Sequence, residues 1–239
     1  MKITYISHSG FLVETEKYVF LFDYFKGTIP PIPKEKKLIV CASHKHHDHF
    51  NAEIFQLIKE HEDTLFLLSK DIKMSDGYMD RLQVPENARD KIRYIGKNQE
   101  LDLNEEIHIE TLTSTDEGVA FIISVEEKTI YHAGDLNWWS WRGESEAEYK
   151  EMTSAFMCEM KKLEGRTLDV AFIPLDPRQE ERFWWGFNTL MRTASVKTAF
   201  PMHCWDDYSV IQRLCRMEES FPYRDRIVTI TAEGQQFEL

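Results

Sequence analysis

The stretch LIVCASHKHHDH, residues 38–49, sets the strongest expectation for both the fold and the chemistry of this chain. Its apolar opening predicts a short buried strand, which runs directly into a loop of four histidines and one aspartate. Alternate residues of an extended loop point the same way, so His44 and His46 can bind one ion while Asp48 and His49 turn toward a second. The loop therefore predicts a metal site at the end of a strand.

Upstream of this loop, three short β-rich runs predict an antiparallel meander. They span residues 3–6, 11–14 and 18–22 and are separated by polar breaks. The first and third strands of a meander run in the same direction, so His8 and Asp23, which follow them, should lie at one edge of the sheet. Because Asp23 precedes the histidine loop, we expect His8 at the metal edge as well.

Downstream of the loop, strand-rich and helical stretches alternate. Strands are predicted at residues 38–42, 65–68, 92–95, 107–113, 119–125, 129–132, 170–173, 198–200 and 227–231, and helices after Asn51 and at residues 145–165, 184–193 and 207–217. Two strand-rich halves, each followed by helices, predict one α/β domain over residues 1–239. Its fold class is a four-layer αββα sandwich, with two mixed sheets face to face and helices outside.

Two further ligand candidates each follow a predicted strand. Asp135 ends the run YHAGD, and His203 ends the run FPMH. Gly134 permits a close backbone approach, and Pro201 is expected to end its strand. Either residue alone could equally have a structural, hydrogen-bonded role. Given the histidine loop, both favour a metal.

These residues, together with the opening SHSGF at residues 7–11, resemble the metallo-β-lactamase superfamily. The similarity is to its branch of ascorbate-6-phosphate lactonase-like and zinc-dependent hydrolases, and it spans the chain from His8 to His203. The resemblance implies the αββα sandwich and a two-metal site. In that site His44 and His46 would hold a first metal, Asp48, His49 and His203 would hold a second, and Asp135 would bridge them.

The sequence departs from the family pattern at one ligand. The family takes a third histidine for the first metal from the loop before the strand that leads to the bridging aspartate, and residues 111–118 contain none. Asp116 could substitute as an oxygen ligand, another residue could do so, or the first metal is weak or absent. The alternative for Asp116 is a turn or cap. His8 is either a ligand or substrate contact, or a hydrogen-bonded residue of its hairpin.

Imidazoles and carboxylates together predict one or two divalent transition metals, with zinc favoured and manganese or iron as alternatives. Such an ion lowers the pKa of bound water to about 7, which predicts hydrolysis of a small ester, lactone or phosphoester. Asp48 is placed to orient the attacking water or to accept its proton. His8 and Asp116 are the other candidates for catalytic roles.

Composition limits the remaining functions. A formal net charge of −12 disfavours nucleic acid as a partner, which counts against a phosphodiesterase or nuclease of the same superfamily. A non-catalytic scaffold with a degenerate metal site is the second alternative, and only the missing histidine supports it. The four scattered cysteines and the lack of a long apolar run predict a cytoplasmic protein without a membrane partner. A small-molecule substrate is expected, and a homo-oligomer is possible.

Tryptophans cluster in the sequence near the proposed ligands. Trp138, Trp139 and Trp141 follow Asp135, and Trp205 follows His203. They predict either an apolar pocket wall for a substrate with a bulky carbon body, or packing at a sheet edge or dimer contact.

Overall fold

The computed structural model describes all residues from 1 to 239. The chain divides into two compact units, of which the first contains residues 1–96 and 232–239 and the second contains residues 97–231. In chain order the strands are β1 (Lys2–Ser7), β2 (Gly10–Glu14), β3 (Tyr18–Phe22), β4 (Lys37–Ala42), β5 (Thr64–Ser69), β6 (Ile92–Ile95), β7 (Glu100–Asn104), β8 (Ile107–Thr113), β9 (Val119–Val125), β10 (Lys128–His132), β11 (Thr167–Pro174), β12 (Ser195–Met202) and β13 (Gln236–Glu238). The α-helices are α1 (Asp76–Arg81), α2 (Glu86–Arg89), α3 (Glu146–Lys161), α4 (Trp185–Thr193) and α5 (Ser209–Arg216).

The first unit contains a mixed sheet of seven strands in the order β13-β1-β2-β3-β4-β5-β6. Strands β1, β2 and β3 form the predicted antiparallel meander, and β3 to β6 pair in parallel. Strands β1, β3 and β4 therefore all end at the same edge of this sheet. The residues that follow them, among them His8, Asp23 and Ser43, are brought together there although they are far apart in the sequence.

One face of this sheet packs against a 3₁₀ helix at Ala52–Lys59 and against α1 and α2. Leu21, Val40, Phe55, Phe66 and Leu68 belong to the buried cluster on this side. Asn51 caps the 3₁₀ helix as predicted, because its side chain accepts a hydrogen bond from the Glu53 N–H. This packing anchors the chain that leaves the histidine loop.

The second unit contains a mixed sheet of six strands in the order β12-β11-β10-β9-β8-β7. Strands β7 to β10 are antiparallel, and β10, β11 and β12 are parallel, so the last three end at one edge. Helix α3 begins at the predicted capping box of Ser145 and Glu148. The two mixed sheets with their helices confirm the predicted α/β class.

The structure differs from the predicted strands in three places. Strand β7 was not expected. Pro201 does not end its strand, because β12 lies at the edge of its sheet, where a residue without an N–H is tolerated. The strand predicted at residues 227–231 is reduced to a single bridge between Ile227 and Ala199, and the last strand is β13.

No helix has both the length and the apolar character needed to cross a membrane.

A bidentate ion pair joins β8 to the segment before β11 in the second unit. The Arg166 Nη1 and Nη2 atoms lie 2.7 and 2.8 Å from the two carboxylate oxygens of Glu110. The hydrogen bond from Arg166 holds the pKa of Glu110 below its ordinary value, against the smaller effect of burial. A carboxyl group with a lowered folded-state pKa stabilises the fold above its unfolded pKa, and this contribution is lost as pH falls through the folded value.

We expect Glu110→Gln to lower the free energy of unfolding by about 0.5–1 kcal/mol near neutral pH, the upper part of the range for ion pairs at a protein surface, because this pair is partly buried. The difference from the wild type should vanish as acid protonates Glu110. Urea denaturation between neutral and acidic pH measures it, with the exposed Glu105→Gln as the control. A difference that stays constant over this pH range would contradict the assignment.

Candidate metal centre

Two carboxylates fix the backbone of the histidine loop on either side of His44. The Ser43 N–H donates to Asp23 Oδ1 at 2.7 Å, and the Lys45 N–H donates to Asp71 Oδ2 at 2.9 Å. Asp23 follows β3 and is fully buried. Because these contacts come from neighbouring strands and loops, the sheet of the first unit determines where the loop presents its side chains.

Asp23 also orients two imidazole rings. Its Oδ2 atom lies 2.8 Å from His49 Nδ1 and accepts the hydroxyl proton of Ser43 at 2.6 Å. Since Ser43 donates its only proton to Asp23, its oxygen must accept from His44 Nδ1, which lies 2.9 Å away. Both rings are thus held through Nδ1, and Nε2 is the nitrogen that can coordinate a metal.

The predicted ligands of the first unit are close together. The His44 ring centroid lies 4.6 Å from that of His46 and 4.1 Å from that of His49. His8 is at the same edge, as the meander predicted, with its Nε2 atom 3.4 Å from Asp48 Oδ2. One ligand atom each of His8, Asp48 and His49 lies within 4.8 Å of the other two.

Asp48 is ionised over the neutral pH range. Burial raises its pKa, but a hydrogen bond from His8 and the electrostatic interaction with His49 outweigh burial and hold the pKa well below its ordinary value. An ionised carboxylate next to imidazoles is a donor set that divalent transition metals accept. The residues of the first unit therefore fit such a metal.

The backbone at this edge is strained. His8 has φ of 53° and Asp23 has φ of 40°, in the left-handed region that side chains with a Cβ atom seldom occupy. Each such residue costs about 1–2 kcal/mol and persists only where the surrounding structure enforces it. Strain of this kind concentrates at functional sites.

The second unit presents its own pair of predicted ligands. Asp135 follows β10 and His203 follows β12, and His203 Nε2 lies 3.5 Å from Asp135 Oδ1. Asp176, which follows β11, accepts from His203 Nδ1 at 3.0 Å. His203 is thus held through Nδ1 by a buried carboxylate, in the same way as His49. It also has a left-handed backbone, with φ of 63°.

Asp176 is in turn held by Arg178 and Trp205. The Arg178 Nη2 atom lies 2.5 Å from Asp176 Oδ2, and Trp205 Nε1 donates to the same oxygen at 3.3 Å. Burial raises the pKa of Asp176, but hydrogen bonds from His203 and Arg178 outweigh it, and the net pKa is lowered. The carboxylate is therefore ionised when it orients His203.

The loop that presents Asp135 is fixed from several directions. Gly134 has φ of 51°, and its N–H donates to His132 Nδ1 at 3.1 Å. Trp139 Nε1 donates to the Asp135 carbonyl at 2.9 Å. Thr115 Oγ1 accepts from the Asn137 N–H at 3.0 Å, which ties residues 111–118 to this loop. His132 therefore supports the ligand loop from within the core.

Asp116 is placed differently from the other candidates. Its side chain is exposed, its N–H donates to Ser114 Oγ at 3.2 Å, and it belongs to none of the groups of nearby potential ligands. Its neighbour Thr115 makes the contact with the Asp135 loop instead. A metal-ligand role for Asp116 stays a prediction without support from its surroundings.

Sequence reasoning missed the residues that orient the ligands. Asp23 was used only to locate an edge, and Asp176, Ser43 and Asp71 were not considered. The sequence contains a signal for two of them, Asp23 and Asp176. Each lies within two residues of the end of a buried strand, β3 or β11. Each of these strands is parallel to a neighbour, β4 or β12, that leads directly into predicted ligands. A search for aspartates at such positions would have found both.

We expect Asp23→Asn to lower the affinity for metal about 10- to 100-fold, the usual cost of removing an outer hydrogen-bond partner. An amide nitrogen cannot accept from His49, so the ring would lose its fixed orientation. Competition with a chromophoric chelator measures the affinity, and circular dichroism reports the fold. The control is Asp63→Asn, whose exposed side chain pairs only with Lys37. Equal affinities in the two variants would contradict the role of Asp23.

Comparison with known proteins agrees with this geometry. The model of the β-lactamase superfamily domain matches residues 2–138, more than half of the chain. The metal-dependent hydrolase YtkL of Bacillus subtilis is 25% identical over 234 residues, which cover 89% of each protein. Among solved structures, the metallo hydrolase Igni18 of Ignicoccus hospitalis aligns with a TM-score of 0.63 and 18% identity over 100% of this chain and 98% of its own. The metallo-β-lactamase fold protein YhfI of Bacillus subtilis aligns with a TM-score of 0.64 and 15% identity over 99% of both chains.

The chain therefore belongs to the metallo-β-lactamase superfamily. Within that superfamily it is a metal-dependent hydrolase, the class of its sequence relatives.

Proposed function

We propose that this hydrolase uses metal-activated water to cleave a small neutral ester or lactone whose body is apolar. The observation that carries the proposal is the arrangement of His44, His49 and His203, each held through Nδ1 so that Nε2 can coordinate. A histidine that binds a metal through one ring nitrogen usually has its other ring nitrogen hydrogen-bonded in this way.

The proposed metal ligands would hold one or two ions. They are His44, His46, Asp48, His49, Asp135 and His203. Family membership and the chemistry of each donor set support this assignment, with zinc first and manganese or iron as alternatives. The single domain over residues 1–239, the cytoplasmic location and a homo-oligomer stay predictions.

A metal held by these residues would lower the pKa of its bound water to about 7, which makes a nucleophile available at neutral pH. Asp48 would orient that water by accepting a hydrogen bond. Because the pKa of Asp48 lies well below its ordinary value, this carboxylate holds a proton weakly. His8 faces it at 3.4 Å and, as a hydrogen-bond donor to this carboxylate, stabilises its charged form.

The surroundings of His203 support an apolar substrate body. The ring centroids of Trp139 and Trp205 lie 5.5 and 5.6 Å from that of His203. Trp141 stacks on Trp139, and the exposed fractions of Trp141 and Trp205 are 37% and 42%. Exposed tryptophans beside a candidate ligand offer apolar area to a substrate. They support the pocket-wall interpretation for these residues.

The charge beside these tryptophans favours a neutral substrate over a phosphoester. The Arg178 guanidinium lies 4.3 Å from the Trp205 ring centroid, but it is paired with Asp176. A cation already neutralised by a buried carboxylate adds little attraction for an anion. A phosphodiesterase or nuclease is disfavoured for the same reason and by the net charge of −12.

The test combines metal analysis with a panel of lactones, carboxylic esters, thioesters and phosphodiesters. We expect the purified protein to hold metal and to lose hydrolysis when chelated. Asp48→Ala should reduce turnover by about 10²–10⁴-fold, the usual contribution of a group that handles the proton. The matched control is Asp90→Ala, an exposed residue at the end of α2. Full activity in Asp48→Ala, or a function that survives without any metal, would support a scaffold instead.

A further inference from the structure

A cavity lies on the surface of the second unit, beside α4 and the start of α3. Its volume is about 320 Å³, and its lining consists of Trp138, Tyr149, Trp184, Trp185, Asn188 and Thr189. This volume is at the lower end of the range of about 300–1,000 Å³ for small-molecule pockets. Four of the six lining side chains are aromatic, which is the composition expected for recognition of a flat, apolar molecule.

The aromatic walls have little polar character. Trp138 Nε1 donates to Thr153 Oγ1 at 3.1 Å, and Trp184 Nε1 donates to the Glu181 carbonyl at 3.0 Å. These indole N–H groups are satisfied within the protein, so the rings contribute only carbon surface. The ring centroids of Trp138 and Trp185 lie 5.2 Å apart with the planes tilted by 55°, so the two rings form an angled wall.

Asn188 supplies a polar group whose orientation is fixed. Its Oδ1 atom accepts from Arg192 Nε at 3.0 Å and from the Tyr223 hydroxyl at 3.0 Å. A guanidinium can only donate, so the atom that faces Arg192 must be the amide oxygen. The Nδ2 atom is then the polar atom that Asn188 can offer to the cavity. It has no protein partner, and neither has the Trp185 Nε1–H.

We propose that this cavity binds a small aromatic carboxylate. The rings would enclose its aromatic body, and the Asn188 Nδ2 and Trp185 Nε1 donors would bind its oxygens. Hydrogen bonds between such donors and a carboxylate are among the stronger ones in proteins. No carboxylate side chain lines the cavity, so a cationic ligand would meet donors without a counter-charge. The assignment of this site does not rest on the proposed hydrolytic reaction.

The ligand would contact the loop that presents Asp135. Trp138, one wall of the cavity, precedes Trp139, which donates to the Asp135 carbonyl. Gln179 binds the carbonyl oxygen of Trp138 at 2.8 Å, so this part of the loop is held on both sides. Binding at the cavity should therefore stabilise the loop, and metal binding and aromatic-acid binding should strengthen each other by the same factor.

The experiment is a titration with 1-naphthoate followed by tryptophan fluorescence and calorimetry. Cyclohexane carboxylate and benzyltrimethylammonium are the comparison probes. Asn188→Asp keeps the oxygen that Arg192 and Tyr223 need but replaces the donor with an acceptor, so it should weaken 1-naphthoate binding by about 10-fold or more without unfolding the protein. Trp185→Phe keeps the aromatic wall and tests the second donor. Asn87→Asp makes the same charge change at an exposed position in α2 and should leave binding unchanged.

Three outcomes would overturn the proposal. The first is the absence of saturable 1-naphthoate binding to the folded wild-type protein. The second is equal affinity in wild type and Asn188→Asp, or tighter binding of the ammonium probe. The third is concentration-dependent self-association that Asn188→Asp abolishes, since a second copy of the chain would then cover this cavity.

Discussion

Replacing His44 by alanine is expected to remove tightly bound metal and to abolish hydrolysis. His44 is fully buried, its ring lies 4.1 Å from that of His49, and its Nδ1 atom is fixed by Ser43. Loss of a ligand should cost more than the roughly 10- to 100-fold in affinity that loss of an outer hydrogen-bond partner costs. Elemental analysis gives the metal content, and competition with a chelator gives the affinity.

The chain provides a close control in His47→Ala. This histidine belongs to the same loop, but 84% of its side chain is exposed. The His47→Ala protein should retain its metal and its activity. Full metal content in the His44→Ala protein would contradict the proposed metal site.

Gly186→Ala should have the largest effect on stability among single-methyl changes in this chain. Gly186 is in the first turn of α4, and a Cβ atom there would lie 1.8 Å from Asn137 Oδ1 and 3.0 Å from the Trp138 nitrogen. Asn137 is buried and donates to Gln179 at 2.9 Å, so it has little freedom to withdraw. Overpacking of this kind lowers the free energy of unfolding by about 1–3 kcal/mol, and by more where the surrounding groups cannot shift.

The matched control is Gly77→Ala, also in the first turn of a helix. A Cβ atom there would have no neighbour within 4 Å. Because alanine is a better helix former than glycine, the free energy of unfolding of this variant should rise by up to about 1 kcal/mol. Urea denaturation measures both proteins. A Gly186→Ala protein as stable as wild type would show that α4 can move away from the Asp135 loop.

The buried strands could be predicted closely from the sequence. Strands β3, β6, β8 and β9 begin and end at the predicted residues, because long apolar or alternating runs leave few other structures open. Strand β13 could not be predicted in this way. Its three residues are largely exposed, and it exists because the chain end meets the edge of β1.

The site shows the same division between local and distant information. The histidine loop is local, so the candidate ligands in it could be named from their spacing alone. The roles of Asp23 and Asp176 depend on which strands are neighbours in the sheets, and each lies 26 or 27 residues from the histidine that it orients. Pairing between distant segments is the information that a single sequence lacks.

The left-handed backbone at His8, Asp23 and His203 lowers the stability of the fold at positions that the proposed activity needs. At such positions glycine relieves strain, and asparagine tolerates it better than most residues. Selection for heat resistance alone would therefore favour replacements at these positions, and such replacements would remove residues that the proposed chemistry needs. An engineer who wants a hardier enzyme should protect these three positions and seek gains elsewhere.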